Sequence, residues 1–450
     1  MNPYEALVAH PLFSQRTIDY IRWYPKSLTP SAQMHWGDAA QRGLEGVYIH
    51  VPFCDQLCPF CPYNKRTSDD AMISDYVQAL LREIALYGDR IQKTPLRFIY
   101  FGGGTPSVLT PSQLESILDA LHSHFGFQEG VEICVEAHPT HLTRPYVTAM
   151  AGLGVNRVSS GIQAFDDALL KRLGANHTVA QALQAIDETV GAIGHIAIDL
   201  LYRCPGQTVD HWLEQFQHAI SIPGVDHLSC YSLVLDNDAE QPSPVEEGRM
   251  MTDMLALAES AGYRHYASCA SGGFDLCKPG REGIYEARHW EAPQARFLGL
   301  GPGALGFVGN SVTVNGLGVR RYIERLNQGQ LPLVSATHAH QEELMRRYFV
   351  LGVKTLNVPL EPFRQEFGIE PTEYFQMEFD QLQRWGFIAL SQDFLSLTPL
   401  GRLFVDTVSA VFFSQGQREV PHPEEPEIRA AELEAIRLSG VAPRDLCLSA

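Results

Sequence analysis

The sequence predicts an α/β protein built on an open, parallel (β/α)6 barrel (a partial TIM barrel), with an N-terminal extension and a C-terminal winged-helix-like domain. Three observations predict it. Short apolar runs alternate with amphipathic segments from about Gly46 to about Val234, the signature of parallel βαβ units. Polar residues recur at the ends of successive runs, where sites in such barrels form. Beyond residue 335 the pattern becomes helices followed by an apparent hairpin.

Residues 1–44 read as an extension with two short helical stretches around a Tyr24-Pro25 turn. The core, 45–235, holds six candidate strands: Gly46–Phe53, Arg97–Phe101, Val131–Ala137, Arg157–Gln163, His195–Tyr202 and His227–Val234. Between them, Ile73, Tyr76, Val77, Leu80, Leu81 and Ile84 recur at helical spacing, as do Leu114, Ile117, Leu118 and Leu121, then Trp212, Phe216 and Ile220. Six such units are too few for a closed eight-fold barrel and suit an open, curved one. Residues 236–335, glycine-rich and less regular, form a core extension. In 336–415, helices are expected at Glu342–Leu356, Leu360–Phe367 and Tyr374–Trp385, then a hairpin at Phe387–Leu397 and a last helix near Pro399–Val408. The charged, proline-punctuated stretch 416–450 reads as a tail.

The composition excludes several function classes. The formal charge of −18 disfavours a phosphate backbone as partner, so no nucleic acid is expected. No run of about eighteen apolar residues occurs, so no membrane span is expected. The first residues lack a basic segment followed by an apolar core, which predicts a cytoplasmic protein.

Nine cysteines are present. Six are scattered (Cys134, Cys204, Cys230, Cys269, Cys277 and Cys447), without the spacing of a disulfide framework. The other three, Cys54, Cys58 and Cys61, fall within eight residues and directly follow the first candidate strand. Soft thiolates so placed select zinc or an iron–sulfur cluster. Structural zinc wants four closed ligands, and only Pro62 and Tyr63 follow at once. A zinc loop completed by a distant His is the alternative. Cys269 with Cys277, and His338 with His340, are weaker metal candidates, being unclustered or without a nearby third ligand.

The flanking residues narrow the choice. Tyr48-Ile-His-Val-Pro-Phe-Cys54 and Cys58-Pro-Phe-Cys61 resemble the radical S-adenosylmethionine (SAM) superfamily, and more narrowly its oxygen-independent coproporphyrinogen III oxidase (HemN)-like branch. The likeness continues through Phe101-Gly-Gly-Gly-Thr-Pro-Ser107, Glu136-Ala-His-Pro139, Gly154-Val-Asn-Arg-Val-Ser-Ser-Gly-Ile-Gln163, Ile198-Asp-Leu-Leu-Tyr202, Pro205-Gly-Gln-Thr208 and Gly299-Leu-Gly-Pro-Gly-Ala304.

The resemblance implies that Cys54, Cys58 and Cys61 hold a 4Fe–4S cluster whose open iron chelates SAM. It implies that Tyr48 and Phe60 border SAM, and that Gly103, Gly104 and Thr105 meet its amino-acid end. Glu136, Gln163 and Asp199 would hold its ribose or its cationic groups. A reduced cluster would then cleave SAM to methionine and a 5′-deoxyadenosyl radical, with flavodoxin or ferredoxin as electron donor. One SAM is required, and radical alkylation would use two.

Two departures from the family pattern stand out. An arginine expected after Leu173-Gly174 is replaced by Ala175. In the family pattern it pairs with the SAM carboxylate, which points to Arg172 or His177 as substitute. A further cysteine that relatives often carry is Tyr63 here. Both suggest divergence from the oxidase. The expected function is therefore methyl or methylene transfer to an unsaturated or aromatic small molecule, as in HemN-like methyltransferases. The alternatives are oxidative decarboxylation of a porphyrinogen and a haem-binding chaperone. For the decarboxylation, whose tetra-anionic porphyrinogen needs several basic groups, the extension offers few beyond Arg16, Arg22 and Lys26.

Overall fold

A computed structural model of the chain describes residues 3–16, 21, 23–31, 34, 43–235, 240–291 and 296–438. Six strands form its centre: β1 (Gly46–Val51), β2 (Leu96–Gly103), β3 (Phe127–Ala137), β4 (Arg157–Gln163), β5 (Ile196–Tyr202) and β6 (Val225–Ser232). All neighbours among them pair in parallel. The expected open parallel barrel is present, and each predicted strand lies within a few residues of its place.

Crossover helices connect them: α1 (Asp70–Gly88), α2 (Pro111–His124), α3 (Arg144–Gly152), α4 (Asp167–Leu173), α5 (Val179–Ile193) and α6 (Val209–Ser221). Their starts are written in the sequence. Asp69 accepts from the Met72 amide, and Thr110 and Thr178 form capping boxes with Gln113 and Gln181. The apolar faces read from spacing are the buried ones, including Ile73, Tyr76, Leu80 and Ile84 on α1 and Trp212 and Phe216 on α6.

The sheet extends beyond six strands. Phe297–Leu300 adds a seventh parallel strand beside β1. Antiparallel strands widen both margins, giving twelve in one sheet. On the β6 side these are Gly273–Cys277 and Arg264–Ala270. On the other they are Leu305–Val308, Ser311–Asn315 and Leu333–His338.

Residues 336–415 carry helices Gln341–Gly352, Glu361–Phe367, Gln376–Arg384 and Val405–Val411. Ile388–Leu390 and Phe394–Leu397 form the expected hairpin, and Asn357–Pro359 adds a third strand to it. A buried pair ties this region to the sheet: the Lys354 ammonium meets Asp406 at 3.4 Å and the Cys269 carbonyl. Of the two helical stretches expected in the extension, Pro3–Ala9 is a helix, while Arg22 and Cys447 lie outside the described residues. No described helix is long and apolar enough to cross a membrane.

Candidate functional site

Because side chains alternate along a strand, one face of the parallel sheet points into the barrel. Register places Tyr48 opposite Tyr100, Tyr100 opposite Cys134, and Glu136 opposite Ser159. The same face continues through Asp199, opposite Gly161 and Ser229, to Asp275 on the antiparallel neighbour. The interior is therefore polar and acidic.

The lower part of this interior is filled by the chain itself. A short helix, Ile284–Arg288, enters it, and Glu132 of β3 accepts from the amides of Ile284 and Tyr285. Tyr285 stacks against Tyr48 at 5.7 Å and Tyr100 at 4.1 Å. Sequence reasoning missed this insertion, and the stretch offers no periodicity that would reveal it.

At the strand C-termini, Cys54, Cys58 and Cys61 lie on one loop. Cys54 is buried, Cys58 and Cys61 are partly exposed, and all three are free thiols. Burial pushes the Cys54 and Cys58 thiols up, and the neighbouring cysteines push them further while Lys65 opposes. Three mutually repelling thiolates suit a cationic centre. Among the described residues, no trio of His, Cys, Asp or Glu side chains gathers tightly enough for a single ion. A cluster takes its thiolates on separate irons, and three thiolates on one loop are a donor set it accepts. Phe60 packs with Leu169, Leu170 and Leu173 of α4, which anchors the loop. Cys269 and Cys277 lie apart, on neighbouring strands at the sheet margin. His338 and His340 meet edge to face at 5.5 Å.

The glycines after β2 are required by packing. A Cβ on Gly104 would lie 2.7 Å from the Phe53 carbonyl oxygen, and one on Gly103 2.7 Å from the His50 ring. Gly103 also has φ +111, a region L side chains rarely adopt. Its amide donates to Glu136 Oε2 at 3.1 Å, and the Tyr100 hydroxyl donates to Oε1 at 2.8 Å. The Thr105 hydroxyl hydrogen-bonds the Cys54 thiol.

Burial pushes the Glu136 carboxyl up to about 8 and Asp199 up to about 7, with nearby carboxylates adding to it. Asp275 rises to about 7, again chiefly by burial. Carboxyls so perturbed in a concave site are candidates for binding a cation. Gln163 ends β4 at φ 64, an uncommon backbone for a residue with a side chain. A register break beside it turns its amide back over Gly161.

The expected substitutes for the missing arginine are engaged elsewhere. Helix α4 ends at Leu173 and Gly174 takes the left-handed cap, so residue 175 is off the helix and shares no face with Arg172. The Arg172 guanidinium bonds Glu240 at 2.9 Å and the Pro205 carbonyl at 3.0 Å, half exposed. His177 is buried, its Nε2 against the Ile162 carbonyl at 3.1 Å. Arg16 pairs with Glu247 at 2.6 Å, both nearly fully buried, and the buried Lys26 lies over Phe413.

Comparison with known proteins adds the family. Residues 48–219 match the radical SAM superfamily model, and residues 339–404 match the HemN C-terminal domain. A protein named heme chaperone HemW from Bacillus subtilis is 27% identical, over 83% of this chain and 100% of its own. One of the same name from Lactococcus lactis is 31% identical over 58% of this chain and 69% of its own. The solved coproporphyrinogen III oxidase (HemN) from Escherichia coli superposes with a TM-score of 0.74 at 20% identity, covering 88% of this chain and 99% of that one. With this fold, these two matched segments and these relatives, the chain belongs to the HemN-like branch of the radical SAM superfamily.

Proposed function

We propose that the protein is a haem-binding radical SAM protein of the chaperone type, which holds a 4Fe–4S cluster and SAM at the barrel mouth. The haem reading is supported by the relatives named heme chaperone, which align over most of this chain. Its single strongest support in the molecule is the rim. Leu57 and Tyr63, six residues apart on the cysteine loop, and Val234 just past β6 are 44%, 45% and 58% exposed, apolar side chains left to solvent at the C-terminal ends of the strands. A large flat macrocycle matches such a rim.

Cys54, Cys58 and Cys61 would hold the cluster, which when bound supplies the electron that cleaves SAM. Gly103 and Gly104 let ligand approach the backbone, while Glu136 and Asp199 face its cationic groups. Phe60 anchors the cysteine loop against the apolar group that includes Leu169, Leu170 and Leu173 of α4.

A second reading is radical methyl or methylene transfer to the bound macrocycle or another unsaturated acceptor. It is supported by the pair Glu136 and Asp199, carboxyls raised by burial in a concave site where a ligand's cationic groups would find them. Decarboxylation of a porphyrinogen has less support, because Arg16 and Lys26 are buried away from solvent.

Anaerobically reconstituted protein titrated with haem, then given SAM and reduced flavodoxin or dithionite, separates these. Haem binding without 5′-deoxyadenosine supports the chaperone. Haem-dependent 5′-deoxyadenosine with a product heavier by a methyl group supports transfer. Failure to bind haem refutes the first reading.

A further inference from the structure

Two residues at the barrel mouth hold a backbone that their side chains disfavour. Among the described residues, Gln163, Arg203, Asn310 and Leu356 are the non-glycine positions with positive φ. Asn310 lies in the turn between the paired strands Leu305–Val308 and Ser311–Asn315, and Leu356 caps a short helical turn. Gln163 instead ends β4, and Arg203 directly follows β5. At φ 59, Arg203 takes a conformation that is easy for glycine and strained for an arginine. Strain of this kind persists where the side chain has a task.

The strained turn puts a guanidinium on the rim. Gln241 Nε2 donates to the carbonyls of Arg203 and Leu233, at 3.1 and 2.8 Å, tying the turn after β5 to the segment after β6. Leu233 belongs to the apolar group that Phe60 of the cysteine loop packs against, and the exposed Val234 comes next. Arg203 Nε donates to the Pro242 carbonyl at 3.1 Å. Its acidic neighbour is Glu247, 4.0 Å away, and that carboxylate is already taken. Arg16 holds its Oε2 at 2.6 Å, and the Ser232 hydroxyl donates to its Oε1 at 2.6 Å. Two guanidiniums against one carboxylate leave a positive charge over. The Arg203 side chain is 18% exposed, and its two terminal nitrogens have no hydrogen-bond partner among the described residues.

We infer that Arg203 binds a carboxylate of the flat macrocycle, its two terminal nitrogens forming the fork, on the β5–β6 side of the mouth. The assignment rests on the haem reading above and supplies the polar end of that ligand. A planar guanidinium meets a carboxylate through two parallel hydrogen bonds, a geometry that an ammonium lacks. An apolar rim with one forked cation at its side fits an apolar disc that carries its carboxylates on one edge. It does not fit a porphyrinogen with anionic groups all round.

The test uses the full chain, reconstituted anaerobically, and titrates haem and haem dimethyl ester, whose propionates are esterified. Wild type, Arg203→Gly and Arg172→Ala are compared, with the melting temperature of each. Glycine relieves the left-handed backbone, so Arg203→Gly should melt no lower than wild type. Its haem affinity should fall about tenfold, the usual order for one hydrogen bond to a charged group. Its affinity for the ester should equal that of wild type. Unchanged haem affinity in Arg203→Gly, or equal weakening of haem and ester, overturns the subsite. So does a lower melting temperature with loss of both ligands, which would make the guanidinium a brace for the rim. A tenfold loss confined to haem in Arg172→Ala, with Arg203→Gly unaffected, moves the cation elsewhere and overturns it too. Wild type that binds neither form overturns the haem reading itself, a separate result.

Discussion

Replacing Glu136 by Gln tests whether the barrel mouth takes a cation. Burial holds the Glu136 carboxyl at about 8 in the free protein, with Asp199 adding to the rise. A carboxyl at that value is only ~10% ionised at pH 7 and ~90% ionised at pH 9. A ligand that binds the ionised form alone therefore gains ~10-fold in affinity between those pH values, or ~1.4 kcal/mol. It also displaces close to one proton at neutral pH. Glu136→Gln keeps the Tyr100 and Gly103 contacts possible but cannot ionise. The α-amino group of SAM titrates in the same range, so the quantity to read is the difference between wild type and variant. Calorimetry in buffers of differing ionisation enthalpy gives both affinity and proton release. A pH slope identical in the two proteins would refute the reasoning.

Four shorter predictions accompany it. Cys54→Ala, Cys58→Ala and Cys61→Ala should each abolish iron binding after reconstitution, while Cys134→Ala and Cys204→Ala retain it; iron content and the visible spectrum decide. Arg172→Ala should leave SAM affinity unaltered and cost at most ~1 kcal/mol, because its pair with Glu240 is exposed; a several-fold loss of SAM affinity contradicts the structure. Gly104→Ala should destabilise by ~1–3 kcal/mol, since its Cβ meets backbone atoms of Phe53 and Val51; chemical denaturation measures it. Glu136, Asp199 and Asp275 are raised to about 8, 7 and 7, so the folded state holds their protons more tightly than the unfolded chain. The stability this provides is full below the ordinary carboxyl range and is lost as pH rises through 7 to 8. Buried histidines, with His50 lowered to about 4, act oppositely until the unfolded chain's histidines are deprotonated, about one unit above their ordinary value of about 6.5. The melting temperature of the ligand-free protein should therefore fall between about pH 7.5 and 8.5, and a rise there would contradict it.

Much of the barrel was legible because parallel strands are buried on both faces and read as apolar runs. Ile133, Val135 and Ala137, or Ile196, Ile198 and Leu200, leave little room for another assignment. Glu136 and Asp199 stand out against such runs, and the structure places both on the interior face. The seventh parallel strand was not legible, since Phe297–Leu300 has four residues and a glycine among them. The true partner of Arg172 lies 68 residues away, a separation that helical spacing cannot address. Gln163 carried a signal of sorts as a polar residue at a strand end, but its left-handed backbone follows from the register break beside it.

The packing of Tyr285 against Tyr48 and Tyr100 inside the barrel has a kinetic meaning. A barrel plugged from below is a cul-de-sac: whatever enters must leave by the same opening. On the proposed function, a smaller ligand seated against Gly103 and Glu136 would lie deeper than one resting on the exposed cysteine loop. Loading would then follow a last-in, first-out order, with the outer guest covering the inner one. Turnover or release at the rim becomes the step that resets the inner chamber, and saturation with the outer ligand first should slow entry of the inner one.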